Sequence, residues 1–314
     1  MRARSKTEAS AVRRDRSDVR VPAGHGARGA CRPAPRVLSE EPMRWLLLRG
    51  LIREQRHWLD FPERFAALVR GPDVSPTETV LLDLPGFGSE NDAAVPPTVA
   101  GFVDDLRTRL RRVVPAGEAC GIFAVSLGGM VALEWLARHP EDFVAGVVVN
   151  TSLADLSWPW ERMRPHNWPR VALAPFLSAR ARERMLLGMT RHQGDLDAAA
   201  DRYAAIAAAT PPRRASAAGQ LRAAMRMRCP PSIAVPTLVL ASRGDRLVSW
   251  RCGARLAERL ALPLRLHEGA GDDAAGHDLP LDAPEWVCTQ VSAWLAEPAA
   301  DRAGAGAARA TSAP

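Results

Sequence analysis

The sequence predicts an α/β fold, a mostly parallel and doubly wound sheet with a helical insertion over one end. Three observations predict it. Short apolar runs bounded by Gly or Pro alternate with longer helix-like segments, the rhythm of parallel strands joined by crossover helices. These runs are continuously apolar rather than alternating, as expected of strands covered on both faces. One interval, from about 153 to 231, holds helical segments and no strand, and a loop of that length without structure of its own is uncommon.

The elements follow in order. Strands are expected at 44–48 ("RWLLL"), 79–84 ("TVLLDL"), 119–125 ("ACGIFAV"), 144–150 ("VAGVVVN"), 236–241 ("PTLVLA") and 263–267 ("PLRLH"). Helices are expected at about 97–113, 127–138, 250–261 and 283–296. The helix at 127–138 ends at His139-Pro140, because a residue before proline avoids helical angles. The insertion opens on "SWPWERMRPHNWP" and continues through segments such as 177–190 and 196–209. The expected organisation is therefore a core of 43–152 and 232–296, an insertion of 153–231, and tails at 1–42 and 297–314.

Composition fits a globular body. Of 314 residues, 47% are hydrophobic and 25% charged, ordinary values for such a protein. The formal charge of +7 suggests nucleic acid until it is located. Residues 1–36 hold nine arginines and Lys6 against Glu8, Asp15 and Asp18, so the excess belongs to the tail and the body is neutral. That tail is too poor in large apolar residues to offset chain entropy and is expected to be disordered. It lacks the apolar stretch of a signal peptide; because Met43 opens the first strand, an extension from an upstream start codon is the expected reading, with an Arg-rich organelle transit peptide as the alternative. No nucleic-acid partner is expected. The five cysteines are scattered with no C-x-x-C pair, which gives neither a zinc site nor a disulfide framework. No run of 18 apolar residues exists, so no membrane span is expected. The expected compartment is the cytoplasm, with no metal and no cofactor.

The chemistry is concentrated in "GIFAVSLGGMVALEW", residues 121–135. Ser126 stands between a strand and a helix with Ala124 two residues before it and Gly128 two after, a variant of the G-x-S-x-G elbow. Small flanking residues let strand and helix approach, and the tight turn lifts the hydroxyl above the strand ends. A serine needs a base, and the base an orienting acid. Asp245, in "LVLASRGDRLV", and His277, in "GHDLPLDAPEW", each follow a strand and come in the order Ser, acid, His, the chain order of this elbow type. Asp272 and Asp273 compete for the acid's role but lie too near His277 in sequence. His57 is a minor competitor as base. An oxyanion would take the N–H groups of Leu127 and of Leu51, where Gly50 permits close backbone approach.

The segments "LLDLPGFGSE", "AVSLGGMVALEW" and "GHDLPLDAPEW" resemble the α/β-hydrolase superfamily, and the likeness covers residues 43–296. Within it the chain is similar to bacterial esterase-type hydrolases with a helical cap, the biotin-pathway carboxylesterase among them. The resemblance implies a serine hydrolase acting on a small-molecule acyl ester or thioester, with Asp83 as a fold-signature residue. Acyl transfer, lactone opening and C–C cleavage use the same triad, and a non-catalytic ligand-binding member would keep the same fold. The family's usual His-Gly is Arg49-Gly50 here, and "DDAA" lengthens the base loop. Arg49 has two readings, an anchor of the oxyanion loop or an attractor of anionic substrates. Trp158 and Trp160, with Trp168, line either the substrate wall or the core of the insertion.

Overall fold

Six strands carry the sheet: β1 (Met43–Leu48), β2 (Thr77–Leu81), β3 (Cys120–Val125), β4 (Ala145–Val149), β5 (Thr237–Ser242) and β6 (Leu264–His267). They lie in the order β2-β1-β3-β4-β5-β6, and every neighbouring pair is parallel. The computed structural model describes residues 43–69, 77–115 and 117–302. These belong to one unit. The tail expected at 1–42 lies outside the described residues. Of the tail expected at 297–314, residues 297–302 are described and include a turn of helix.

Twelve helices accompany these strands among the described residues, nine of them between strands and three after β6. The first three are α1 (Phe61–Leu68), α2 (Val99–Leu110) and α3 (Leu127–Arg138). Between β4 and β5 come α4 (Pro159–Arg162), α5 (Trp168–Leu173), α6 (Ala179–Thr190), α7 (Leu196–Ala209) and α8 (Arg214–Arg226). The last four are α9 (Trp250–Leu260), α10 (Leu279–Asp282), α11 (Pro284–Ala296) and α12 (Ala299–Arg302).

The strands are apolar on both faces because both are covered. Leu46, Leu48, Ile122, Ala124 and Val148 pack with α2, α3 and α9, while Trp45, Leu47, Phe123 and Val147 pack with α1 and α11. The short helix α1 holds through Phe61 and Phe65, whose rings lie 5.4 and 5.2 Å from that of Phe123. Each buried ring is worth roughly 1.5–3 kcal/mol. The strand expected at 79–84 stops at Leu81, because the Asp83 carboxylate turns the chain by accepting from the N–H groups of Gln55 at 2.6 Å and Ser89 at 2.8 Å.

Strand order reverses between β1 and β3, since the chain goes one way to β2 and the other way from β3 onward. A doubly wound sheet binds ligands at such a switch point, beyond the carboxyl ends of its strands. The register pairs Leu48 with Ala124 and Val125 with Val149. Arg49-Gly50, Ser126 and Asn150 therefore emerge side by side at that edge.

Candidate active site

Ser126 is held in a strained turn. Its φ of 56° and ψ of −114° lie outside the regions an L-residue prefers, and such strain persists only where surrounding bonds over-determine it. Its N–H donates to Val149 O at 2.9 Å, and its carbonyl accepts from the Thr151 hydroxyl. The helix behind it must come close: a side-chain carbon at Gly128 would stand 2.6 Å from the carbonyl oxygens of Leu48 and Arg49. On the facing side, a carbon on Gly50 would lie 3.1 Å from Ser126 Cβ. The two glycines let β1, β3 and α3 converge on the hydroxyl. Leu127 opens α3, so its N–H is among the first four that a helix leaves without an internal partner.

Across the same edge, His277 Nδ1 and Asp245 Oδ2 are 2.7 Å apart, both residues being buried. The other carboxylate oxygen of Asp245 accepts from Leu247 N at 2.7 Å and Val248 N at 2.8 Å, which fixes the orientation of the carboxylate. With Nδ1 engaged, Nε2 is the nitrogen left for proton transfer. Burial disfavours the charged ring, but the attraction and hydrogen bond of Asp245, helped by the charge of Asp278, outweigh that cost. The His277 pKa therefore lies above its ordinary value.

Arg49 is buried and donates to both oxygens of Asp278, at 2.8 and 2.6 Å. Its guanidinium also lies 4.6 Å from the centre of the Trp58 ring. Asp278 is the residue after His277, so the pair ties the loop after β1 to the loop that carries His277. Burial pushes the Asp278 carboxyl up, but Arg49 outweighs it and the group ends below its usual range. In the loop after β1, Arg53 N donates to Gly50 O at 3.2 Å, and Ile52 takes a φ of 56°. His57 is buried beneath this loop with its pKa lowered to about 2, first by burial and then by Arg53 and Arg49. It takes the Glu54 N–H on Nδ1 at 3.1 Å. That makes it a neutral structural ring.

The helices of the insertion grip both loops. Gln220 in α8 accepts the Ile52 N–H at 3.1 Å and donates to Pro85 O at 3.2 Å. Glu183 in α6 pairs with Arg53 at 2.6 Å. At the other end of α6, Thr190 O accepts the Asp278 N–H at 2.9 Å. Beyond it, His192 Nε2 lies 2.7 Å from Gly244 O and Arg191 pairs with Asp282 at 3.2 Å.

A model of the α/β hydrolase family matches residues 19–290. The chain belongs to the α/β-hydrolase family. It is 30% identical over 210 residues to a pimeloyl-[acyl-carrier protein] methyl ester esterase of Aromatoleum aromaticum, covering 66% of this chain and 72% of that one. Among solved structures it is similar to a hydrolase from Pseudomonas aeruginosa PA01, with a TM-score of 0.61 and 19% identity over 82% of this chain and 91% of that one. It is also similar to BorB, the type II thioesterase of the borrelidin biosynthetic cluster, with a TM-score of 0.56 and 18% identity over 82% and 94% of the two chains. These two likenesses are of fold.

In this α/β-hydrolase the structure brings Asp245 to His277 and sets Gly50 against Ser126. It leaves Asp272 and Asp273 exposed. Trp158 and Trp160 stack on each other, 5.1 Å apart with a 3° interplanar angle, and are 62% and 51% exposed. Three supporting residues escaped the sequence reading: Asn150, Asp278 and Gln220. Asn150, at φ 47°, donates to the carbonyls of Gly276 at 3.2 Å and His277 at 2.9 Å, and accepts the Ser242 N–H at 3.0 Å. The one signal for it was an asparagine closing an apolar strand. No group of three or more metal-ligating side chains occurs among the described residues, and no described helix is long and apolar enough to cross a membrane.

Proposed function

We propose that this α/β-hydrolase is a serine esterase that cleaves a carboxylic ester or thioester through an acyl-enzyme. Ser126 attacks the carbonyl, and His277 Nε2 takes its proton while Asp245 fixes the tautomer and steadies the imidazolium. The N–H groups of Leu127 and Leu51 face the developing oxyanion. The imidazolium then protonates the leaving group, and water, deprotonated by the same ring, releases the acid. Residues 153–231 form the cap that bounds the acyl pocket.

The observation that carries this reading is the 2.7 Å contact between His277 Nδ1 and Asp245 Oδ2 at the strand edge where Ser126 occupies its strained turn. The named activity of the Aromatoleum relative supplies the first substrates to try, methyl esters of acyl chains, free and on acyl carrier protein. A fluorophosphonate probe tests the chemistry. It is expected to label the wild-type chain at Ser126 and to leave Ser126→Ala unlabelled. Equal labelling of both would place the nucleophile elsewhere.

A further inference from the structure

The cap carries most of the large apolar side chains exposed on the described surface. Trp158, Trp160, Trp168, Leu173, Phe176 and Met225 are each 48% exposed or more, Phe176 reaching 78%. Outside the cap, Leu68 and Val113 are the other two among the described residues. Hydrogen bonds set the apolar residues of the cap along α8. Arg162 of α4 donates to the carbonyls of Ala224 and Met225, and Arg214 at the start of α8 donates to Pro175 O, beside Phe176. The thirteen residues of α8 make that edge about 20 Å long. Exposed apolar patches of this kind mark interaction sites.

Charge divides the same way. Residues 153–231 hold thirteen arginines against six carboxylates, whereas 43–152 and 232–296 hold seventeen arginines against twenty-two. Arg226 and Arg228 are exposed beside Met225. Between α5 and α6 a cavity of about 590 Å³ is lined by Arg170, Arg180, Arg184 and Arg246, with no carboxylate in its lining. Arg180 and Arg184 keep ion pairs with Asp201 and Asp197 of α7, and the cavity remains cationic. A cationic cap on an acidic core turns the cap towards a negative surface.

We propose that the cap docks on an anionic lipid surface, its arginines on headgroup phosphates and its aromatic edge in the boundary between headgroups and acyl chains. A lipid surface fits better than a protein partner because these side chains, the Trp158–Trp160 stack among them, stand proud of the surface at 48–78% exposure. A fluid surface accepts them without matching relief. Indole rings, with an apolar body and one N–H donor, suit that boundary. The contact lies on the membrane and does not cross it.

The test uses the full chain carrying Ser126→Ala, so that its outcome does not depend on turnover. Sedimentation with phosphatidylcholine vesicles, with and without phosphatidylglycerol, measures partitioning. Binding is expected to need phosphatidylglycerol and to weaken as salt rises. The pair Leu173→Ser and Phe176→Ser is expected to lower vesicle affinity about tenfold or more without moving Tm, and the pair Arg226→Gln and Arg228→Gln to lower it several-fold. Absence of partitioning overturns the proposal, as does partitioning that either pair leaves unchanged. Self-association abolished by the Phe176 change would make the edge an interface between copies. Capture of acyl carrier protein in place of vesicles would make it a protein-binding face. Either result also overturns it.

Discussion

Arg49 and Asp278 form a bidentate ion pair, buried and 229 residues apart in sequence, that fastens the loop facing Ser126 to the loop bearing His277. The arginine stands where the family commonly has histidine. Its charge is spent on a carboxylate of the same chain and is not presented to solvent. Removing one partner of such a pair leaves a buried charge uncompensated, at a cost of about 3–5 kcal/mol. Arg49→Ala should lose about that much stability in urea unfolding. It should also lower kcat for neutral and anionic esters alike, by up to the roughly 10²–10³ that follows loss of an oxyanion donor. A raised KM confined to anionic esters and relieved by salt would show instead that Arg49 attracts substrate.

The strained turn at Ser126 yields a stability prediction. A non-glycine residue held at φ 56° and ψ −114° costs on the order of 1–3 kcal/mol. Ser126→Gly should relieve part of that strain and raise Tm while abolishing turnover, with losses near the 10⁶ known for other triad nucleophiles. A lower Tm together with lost activity would mean that the turn is not under strain.

The base should show itself in the pH profile. As the proposed base His277 works only when neutral, and its pKa is raised, so kcat/KM should climb with pH through a limb lying above the ordinary histidine value of about 6.5. Asp245→Asn removes the attraction and leaves burial, which lowers the pKa. The limb should move to lower pH and kcat should fall about 10⁴-fold. An unmoved limb would assign it to another group.

His57 makes a separate prediction about acid stability. Its folded pKa of about 2 lies far below the unfolded value near 6.5, so below pH 6.5 the unfolded chain binds a proton that the folded one refuses. The stability is whole above pH 6.5 and drains by about 1.4 kcal/mol per pH unit as pH falls. Between pH 7 and pH 5, wild type should lose about 2 kcal/mol more than His57→Gln in urea unfolding. Parallel losses would refute the depressed pKa.

Much of this was written locally. The strand–serine–helix passage, the acid and base loops and the six strands each carry a signal within a dozen residues, in periodicity or turn chemistry. The short helix α1 carried too little, since its packing rests on Phe61 and Phe65 meeting Phe123 from another element. Asp278, Gln220 and Asn150 were illegible for the same reason. Each acts on a group far away in the chain, and nothing in the neighbouring residues announces the partner. The end of β2 at Leu81 was likewise set by the reach of Asp83 to Gln55.

The grip of α6 on both loops bears on how such enzymes diversify. A cap is often pictured as a cassette, exchangeable among relatives to change what an enzyme accepts. Here Glu183 holds Arg53, and Thr190 holds the backbone of Asp278 next to His277. A chimera that replaced 153–231 wholesale would inherit a new pocket and forfeit the alignment of the machinery beneath it. An exchange of the insertion therefore has to keep Glu183 and Thr190 of α6, or change them together with the loops they hold.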